Sequence, residues 1–88
     1  MLRIVRKSQF KRDFKKLGSA GRDIRKLKET IRLLQYGKQL PEAMRDHRLI
    51  GNFGGHRECH IAPDWLLIYK VEDGFLILVR TGTHSELF

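Results

Sequence analysis

The chain has 88 residues, which suffice for one folded domain and not for two, so we expect a single domain spanning residues 1–88. The net charge is +8, no apolar run approaches the ~18 residues that a membrane span needs, and the charged residues after Val5 argue against a secretory signal core. The single cysteine, Cys59, excludes an internal disulfide and agrees with a reducing compartment, so we expect a cytoplasmic protein without membrane contact.

The first half of the chain predicts one short strand followed by two helices. The apolar run Leu2–Val5 suits the strand. A first helix is predicted from a cap at Ser8 to an end at Gly18, and a second from a cap at Ser19 to an end at Gly37. Each has apolar residues at steps of three and four: Phe10, Phe14 and Leu17 in the first, and Ile24, Leu27, Ile31 and Leu34 in the second.

After Pro41 the apolar residues alternate, which predicts strands separated by turns. Gly54-Gly55, Pro63-Asp64 and Asp73-Gly74 mark the turns. The predicted strands are Arg48–Asn52, His56–Ile61, Trp65–Val71 and Phe75–Arg80. The order β-α-α-β-β-β-β predicts an α+β domain whose two helices pack on a largely antiparallel sheet.

A two-residue turn at Asp73-Gly74 also predicts the register of the last hairpin. The facing pairs would be Glu72 with Phe75, Ile68 with Val79, Leu67 with Arg80, and Trp65 with Gly82. Arg80 would then end a largely apolar column formed by Trp65, Leu67, Tyr69 and Leu78. A guanidinium there must reach water, form an ion pair or bind an anion. Two alternatives follow: a structural ion pair with Asp64 or Glu86, or a phosphate clamp.

The positive charge lies almost entirely in the first half of the chain. Residues 1–48 hold 15 of the 18 lysines and arginines against 5 acids, a balance of +10, whereas residues 49–88 hold 3 against 5, a balance of −2. Basic side chains that only solvate two helices are one explanation, but such faces usually carry both signs of charge. A polyanion, most simply a nucleic acid, fits better than an anionic membrane, because the basic segments lack a bulky aromatic face.

Four histidines, His47, His56, His60 and His84, offer acid–base chemistry. RNA can be cut without a metal when a base deprotonates the ribose 2′-hydroxyl, an acid protonates the leaving 5′-oxygen, and a cation steadies the transition state. No paired-carboxylate cluster for a two-metal nuclease is present, although His56, Glu58 and His60 would share a strand face and make a metal site conceivable. Cys59 points away from His60 by strand parity, which disfavours a thiol nucleophile.

Three segments together resemble the YafQ-type toxins of the RelE/ParE superfamily. They are Asp46-His47-Arg48-Leu49, the stretch from Cys59 to Lys70 with its Pro63-Asp64-Trp65, and Arg80-Thr81-Gly82-Thr83-His84 with the following Leu87-Phe88. The first 45 residues match only in layout. The resemblance implies a RelE-like, microbial-RNase-like fold and a toxin of a type II toxin–antitoxin system that cuts the codon in the ribosomal A site, with no cofactor and no metal.

The resemblance also implies residue roles. His84 would be the general acid, His60 and Asp64 would share the base and orienting duties, and His47 would contact the phosphate or the leaving group. Arg80 would steady the transition-state phosphate, and Trp65 and Phe88 would stack on bases. We expect the basic helices to dock on ribosomal RNA through phosphates, using Lys11, Lys15, Arg22 and Lys26.

The implied partners are a cognate antitoxin, the ribosome and messenger RNA, with operator DNA reached only through the antitoxin complex. Three alternatives stay open. They are a ParE-like toxin that poisons DNA gyrase without catalysis, a basic RNA-binding module, and a nuclease active on free RNA. The pairing of His60 and His84 with Arg80 favours catalysis, because a binding poison needs no proton-transfer groups.

Overall fold

The computed structural model describes all 88 residues as two helices packed on one face of a five-stranded sheet. The elements are β1 (Arg3–Arg6), α1 (Ser8–Ser19), α2 (Ile24–Gln35), β2 (His47–Arg48), β3 (Arg57–Ala62), β4 (Trp65–Glu72), β5 (Phe75–Gly82) and α3 (His84–Leu87). The strand order is β1-β5-β4-β3-β2, with β1 parallel to β5 and all other neighbours antiparallel. The predicted α+β architecture is confirmed. No helix has the length and apolar character required to cross a membrane.

Both predicted helices form, but their capping serines were wrong. Helix α1 begins after Lys7, with no side-chain cap, and continues past Gly18 to Ser19. The chain then turns through Gly21, whose φ is +72°, so α2 starts later than predicted. Its cap is Asp23, which accepts a hydrogen bond from the Arg25 amide at 3.1 Å.

The sheet separates two apolar clusters. The larger cluster lies under α1 and α2, where Phe10, Leu17, Leu27 and Leu34 are buried against β3, β4 and β5. Complete burial of one such side chain is worth roughly 1.5–3 kcal/mol. The smaller cluster lies on the opposite face and contains Leu66, Ile68 and Leu87. No long helix covers this second face, and Leu87 of the short C-terminal helix α3 packs on it instead.

The strand predicted at Arg48–Asn52 is only two residues long. It pairs His47 with Glu58 and Arg48 with Arg57, and a 3-10 turn follows at Gly51–Phe53. Gly51 has a φ of +74°, a left-handed conformation that does not continue a strand. The strand therefore ends early and leaves His47 at the edge of the sheet.

The register of the last hairpin is confirmed only near its turn. Asp73 and Gly74 have φ values of +51° and +83°, as a two-residue hairpin turn requires, and Glu72 faces Phe75. Beyond Tyr69, which faces Leu78, a β-bulge at Val79 shifts the pairing by one residue. The predicted pairs Ile68–Val79, Leu67–Arg80 and Trp65–Gly82 are wrong. The observed pairs are Ile68–Arg80, Leu67–Thr81 and Leu66–Gly82.

The bulge changes which side chain meets Trp65. The hydroxyl of Thr81 accepts a hydrogen bond from Trp65 Nε1 at 2.9 Å and donates one to the Leu66 carbonyl at 2.7 Å. Arg80 is thereby displaced from the column of Trp65, Leu67 and Tyr69 where the turn-based register placed it. Its cross-strand neighbour is Ile68, on the face that lacks a long helix.

Helix α3 was not predicted from the sequence. Thr83 and Glu86 form a reciprocal capping box, in which each side chain accepts from the other residue's amide. Leu87 is buried against Leu66 and Ile68. The helix therefore packs on the second face, and its first residue is His84.

Candidate active site

Three histidines from three different elements meet along β3. His47 comes from β2, His60 from β3 and His84 from α3. The ring centroids of His47 and His60 are 6.4 Å apart, and those of His60 and His84 are 5.8 Å apart. All three line an open groove of about 1050 Å³ together with Glu58. The structure therefore brings together His47, His60 and His84, three of the residues that the family resemblance implied for the site.

Glu58 contacts two of these rings and was not among the predicted catalytic residues. Only 4% of it is exposed. Its Oε1 atom is 3.4 Å from His60 Nε2 and 3.7 Å from His47 Nε2. The signal available in the sequence was its position two residues before His60, which places both side chains on one strand face.

Asp64 holds the start of α3. Its Oδ1 atom accepts the backbone amide of His84 at 3.1 Å and lies 3.4 Å from the Nδ1 atom of the same residue. These contacts, the backbone one first, hold the pKa of Asp64 below its ordinary value. At neutral pH Asp64 is therefore a carboxylate that faces the ring of His84.

His47 is oriented by the loop before it. Its Nδ1 atom donates to the carbonyl of Arg45 at 2.6 Å. The adjacent Asp46 accepts from Tyr69 Oη at 2.6 Å and from Arg57 Nε at 3.2 Å, which anchors the loop to the sheet. Burial and the contact with Asp46 raise the pKa of Tyr69, so the phenol remains a hydrogen-bond donor. Each ring nitrogen of His47 thus faces an oxygen of the protein.

The two aromatic residues expected to stack on bases have different environments. Phe88 is 61% exposed, and its ring lies 6.3 Å from that of His84 and edge-on to Phe53 at 5.6 Å. Trp65 is 1% exposed and belongs to the core under the helices. A ring buried in this way cannot stack on a base without unpacking, so its position does not support the role that the resemblance implied.

Arg80 forms an ion pair, but with neither of the acids considered from the sequence. Its Nε and Nη2 atoms donate to the two carboxylate oxygens of Asp13 on α1, at 2.8 and 3.2 Å. Asp64 and Glu86 were the wrong partners, because α1 brings Asp13 to the Arg80 guanidinium and to the neighbouring Thr81 amide. Arg80 still shares one cross-strand row with Ile68, Glu58 and His47.

The four basic residues expected to bind phosphates lie at two separate places. Lys26 lines the histidine groove. Arg22 donates to the Asp64 carbonyl at 3.2 Å and lies 5.4 Å from the Trp65 ring centroid. Lys11 and Lys15 instead line a second groove of about 420 Å³ between the helices and β1.

Different residues are the candidates for metal binding and for nucleophilic thiol chemistry. Donor atoms of Glu58, His60 and His84 all lie within 4.8 Å of one another, which makes them the group able to take a transition metal ion. His56, considered from the sequence, is not among them, because β3 begins only at Arg57 and His56 lies in the turn before it. Its Nδ1 faces the Phe53 and Gly54 carbonyls at 3.2 Å. Burial raises the pKa of the Cys59 thiol to about 12, so it is no nucleophile at neutral pH.

Comparison with known proteins places this geometry in a family. The profile of the family described as the bacterial toxin of type II toxin–antitoxin system, YafQ, matches residues 2–88. The mRNA interferase toxin YafQ of Escherichia coli is 42% identical over 81 residues, which are 91% of this chain and 88% of that protein.

Solved structures agree with this result. A copper-bound mutant toxin from Helicobacter pylori superposes with a TM-score of 0.96 at 45% identity, covering all of both chains. The toxin in the E. coli DinJ–YafQ complex superposes with a TM-score of 0.90 at 40% identity, covering 100% of this chain and 99% of that one. The chain therefore belongs to the YafQ family of toxins from type II toxin–antitoxin systems.

Proposed function

We propose that this protein is an endoribonuclease that cuts messenger RNA on the ribosome and uses histidines rather than a metal for proton transfer. The observation that carries the proposal is the pairing of His60 and His84 across one groove, with ring centroids 5.8 Å apart. His60 Nδ1 and His84 Nε2 form no hydrogen bond with the protein. Each ring therefore has a nitrogen free for the substrate.

The reaction needs one base and one acid. His60 takes the proton of the ribose 2′-hydroxyl, and the resulting oxyanion attacks the adjacent phosphorus. The bond from phosphorus to the 5′-oxygen breaks, and His84 gives that oxygen a proton. The products are a 2′,3′-cyclic phosphate and a 5′-hydroxyl end. This assignment follows from Asp64, whose carboxylate faces His84 Nδ1 and leaves Nε2 as the nitrogen that meets the leaving oxygen.

Asp64 is better suited to orienting His84 than to acting as the base. Its depressed pKa makes it a weak proton acceptor, and its Oδ1 atom is already committed to the amide and ring of His84. His47 faces oxygen acceptors with both ring nitrogens, which suits a contact with the phosphate better than proton abstraction. Asp64 and His47 therefore support the reaction without carrying the transferred protons.

Substrate binding falls to residues around the groove. Phe88 presents an exposed ring beside His84 on which a base can stack. Lys26 offers a charge to the backbone, and Arg22 lies next to the Asp64 turn. Arg80 would share its guanidinium between Asp13 and the phosphate, since one edge is already occupied by the ion pair. Lys11 and Lys15, on the other groove, would contact ribosomal RNA rather than the scissile strand.

An antitoxin is the expected protein partner. The E. coli relative was crystallised with DinJ, and a ribosome-directed nuclease without a neutralising partner would be lethal to its cell. The +10 balance of residues 1–48 favours a partner with an acidic segment. Operator DNA would be reached only through the antitoxin complex, and the ribosomal target places the activity in the cytoplasm.

The test uses programmed ribosomes and, separately, the same RNA without ribosomes, with the cut ends mapped. We expect cleavage on the ribosome only, with a 2′,3′-cyclic phosphate end. His84→Gln should slow it by ~10²–10⁴-fold, the usual worth of a positioned proton donor. His56→Gln is the matched control and should cut at the parent rate. Cleavage of free RNA at an equal rate would show that the enzyme does not depend on the ribosome. No cleavage on programmed ribosomes or of free RNA would favour a toxin that acts by binding alone.

A further inference from the structure

We propose that Glu58 is the positioning residue of this site, and that its buried carboxylate selects the tautomer of His60. In this tautomer Nε2 carries the hydrogen and Nδ1 carries the lone pair that accepts the 2′-hydroxyl proton. The inference rests on the proposed nuclease function for its kinetic part, whereas its tautomer part holds for the free protein.

Glu58 has no structural partner that explains its burial. It is 4% exposed, and its ion-pair contacts are both with histidines. The nearby basic residue Arg57 pairs with Asp46 instead. Its side chain lines the histidine groove, and no lysine or arginine forms an ion pair with it there. Its placement is therefore better explained by its contacts with the histidines of the site.

The contact between Glu58 and His60 favours one tautomer. Glu58 Oε1 and His60 Nε2 lie 3.4 Å apart as an ion-pair contact, and a carboxylate only accepts hydrogen bonds, so its charge favours hydrogen on this ring nitrogen. For His60 that nitrogen is Nε2, and the neutral ring must then leave Nδ1 unprotonated. The side chain of His60 is 15% exposed, on the groove side, and no protein donor occupies Nδ1. The free lone pair is thus available to a ribose hydroxyl.

Other charged groups around the groove do not replace Glu58 in this role. Lys26, from α2, and Arg45, from the loop before β2, line the groove but are cations. Asp46 is committed to Tyr69 and Arg57. Asp64 faces His84. Glu58 is therefore the carboxylate that contacts His60.

The first test reads the tautomer directly from the ring ¹⁵N chemical shifts of His60, in the free protein at a pH where the ring is neutral. We expect the Nε2–H form in the parent and a mixture of both forms in Glu58→Gln, because an amide can present either a donor or an acceptor. Glu72→Gln, which removes an exposed carboxylate on β4, is the control. An unchanged tautomer in Glu58→Gln would overturn the proposal.

The second test is a double-mutant cycle in single-turnover cleavage on programmed ribosomes. Glu58→Gln should slow cleavage by about 10–10²-fold without weakening ribosome binding, and His60→Gln should slow it by ~10²–10⁴-fold. The double variant should be no slower than His60→Gln alone, because Glu58 acts through His60. Equal slowing by Glu58→Gln in both backgrounds would refute this coupling.

Two further arms keep the outcomes separable. Glu58→Asp keeps the charge on a shorter side chain, so it should retain the Nε2–H tautomer and recover part of the lost rate. If Glu58→Gln fails to fold, the near-isosteric Glu58→Met, which also removes the carboxylate, replaces it in both tests. If the parent itself cut nothing, the nuclease proposal would fail, while the ¹⁵N measurement would still decide whether Glu58 sets the tautomer.

Discussion

The ion pair of Asp13 and Arg80 predicts a large and pH-dependent share of the stability of this small protein. Asp13 is 4% exposed and accepts from Arg80 twice, from the Thr81 amide at 3.1 Å and from Gln9 Nε2 at 3.1 Å. Asp13→Ala would leave the Arg80 guanidinium, which is 24% exposed, and the buried Thr81 amide without these acceptors.

Removing one partner of a buried ion pair lowers the free energy of unfolding by about 3–5 kcal/mol. Because Arg80 keeps some exposure, we expect a loss near the lower end, at about 3 kcal/mol. At ~4–8 °C per kcal/mol for a domain of this size, the melting temperature should fall by roughly 12–24 °C. Asp13→Asn, which keeps the shape and one acceptor, should lose about half as much. Glu29→Ala, at an exposed position of α2, is the control and should stay within ~0.5 kcal/mol.

The pH dependence follows from the direction of the pKa shift. Burial alone would raise the pKa of Asp13, but hydrogen bonds from Arg80, Gln9 and the Thr81 amide outweigh it and hold the folded pKa below the ordinary value. The stabilisation is therefore present above the unfolded pKa of ~3.9 and is lost as the pH falls through the folded pKa. Urea denaturation of the parent and of Asp13→Asn, at several pH values between neutral and acid, measures the difference in their free energies of unfolding. A difference below about 1 kcal/mol at neutral pH, or a difference that does not shrink in acid, would refute the reasoning.

Three further predictions concern ribosome binding, metal ions and toxicity. Arg22→Gln with Lys26→Gln, and separately Lys11→Gln with Lys15→Gln, should each weaken ribosome binding and lower the salt slope by about 1 per lost phosphate contact. An unchanged salt titration would remove these residues from the interface. EDTA should leave cleavage intact, whereas added Cu²⁺ should inhibit cleavage by binding to Glu58, His60 and His84. Loss of cleavage in EDTA that only added Mg²⁺ restores would contradict the mechanism. Expression without an acidic partner should arrest growth, and harmless expression would count against toxicity.

The architecture could be predicted because local signals agree with it. Apolar residues at helical spacing define α1 and α2, and alternation with Gly, Pro and Asp turns defines the strands from β3 onward. The positions of His47, His60 and His84 on one groove also followed, through the family resemblance. Each of these motifs lies within a short stretch of chain, so each can be recognised without knowledge of the tertiary contacts.

The errors come from features that depend on distant contacts. The bulge at Val79 accompanies a hydrogen bond between Trp65 and Thr81 and an ion pair between Arg80 and Asp13 of α1, and the turn residues from which the register was predicted indicate neither contact. The partner of Arg80 lies 67 positions away in the chain, so a search among neighbouring acids found only Asp64 and Glu86. Helix α3 was missed for a different reason: the Thr83 and Glu86 capping box was present in the sequence but was not followed by a long apolar run.

The proposed roles of His60 and His84 depend on which ring nitrogen of each histidine faces a carboxylate. Asp64 faces Nδ1 of His84 and leaves Nε2 free, whereas Glu58 faces Nε2 of His60 and leaves Nδ1 free. Asp64 lies on an exposed turn, where its carboxylate contacts both the amide and the ring of His84. Glu58 lies in a strand and is 4% exposed, so its contact with the His60 ring is made from within the sheet. The two carboxylates thus leave different ring nitrogens free, and this asymmetry is the geometric basis of the proposed acid and base roles.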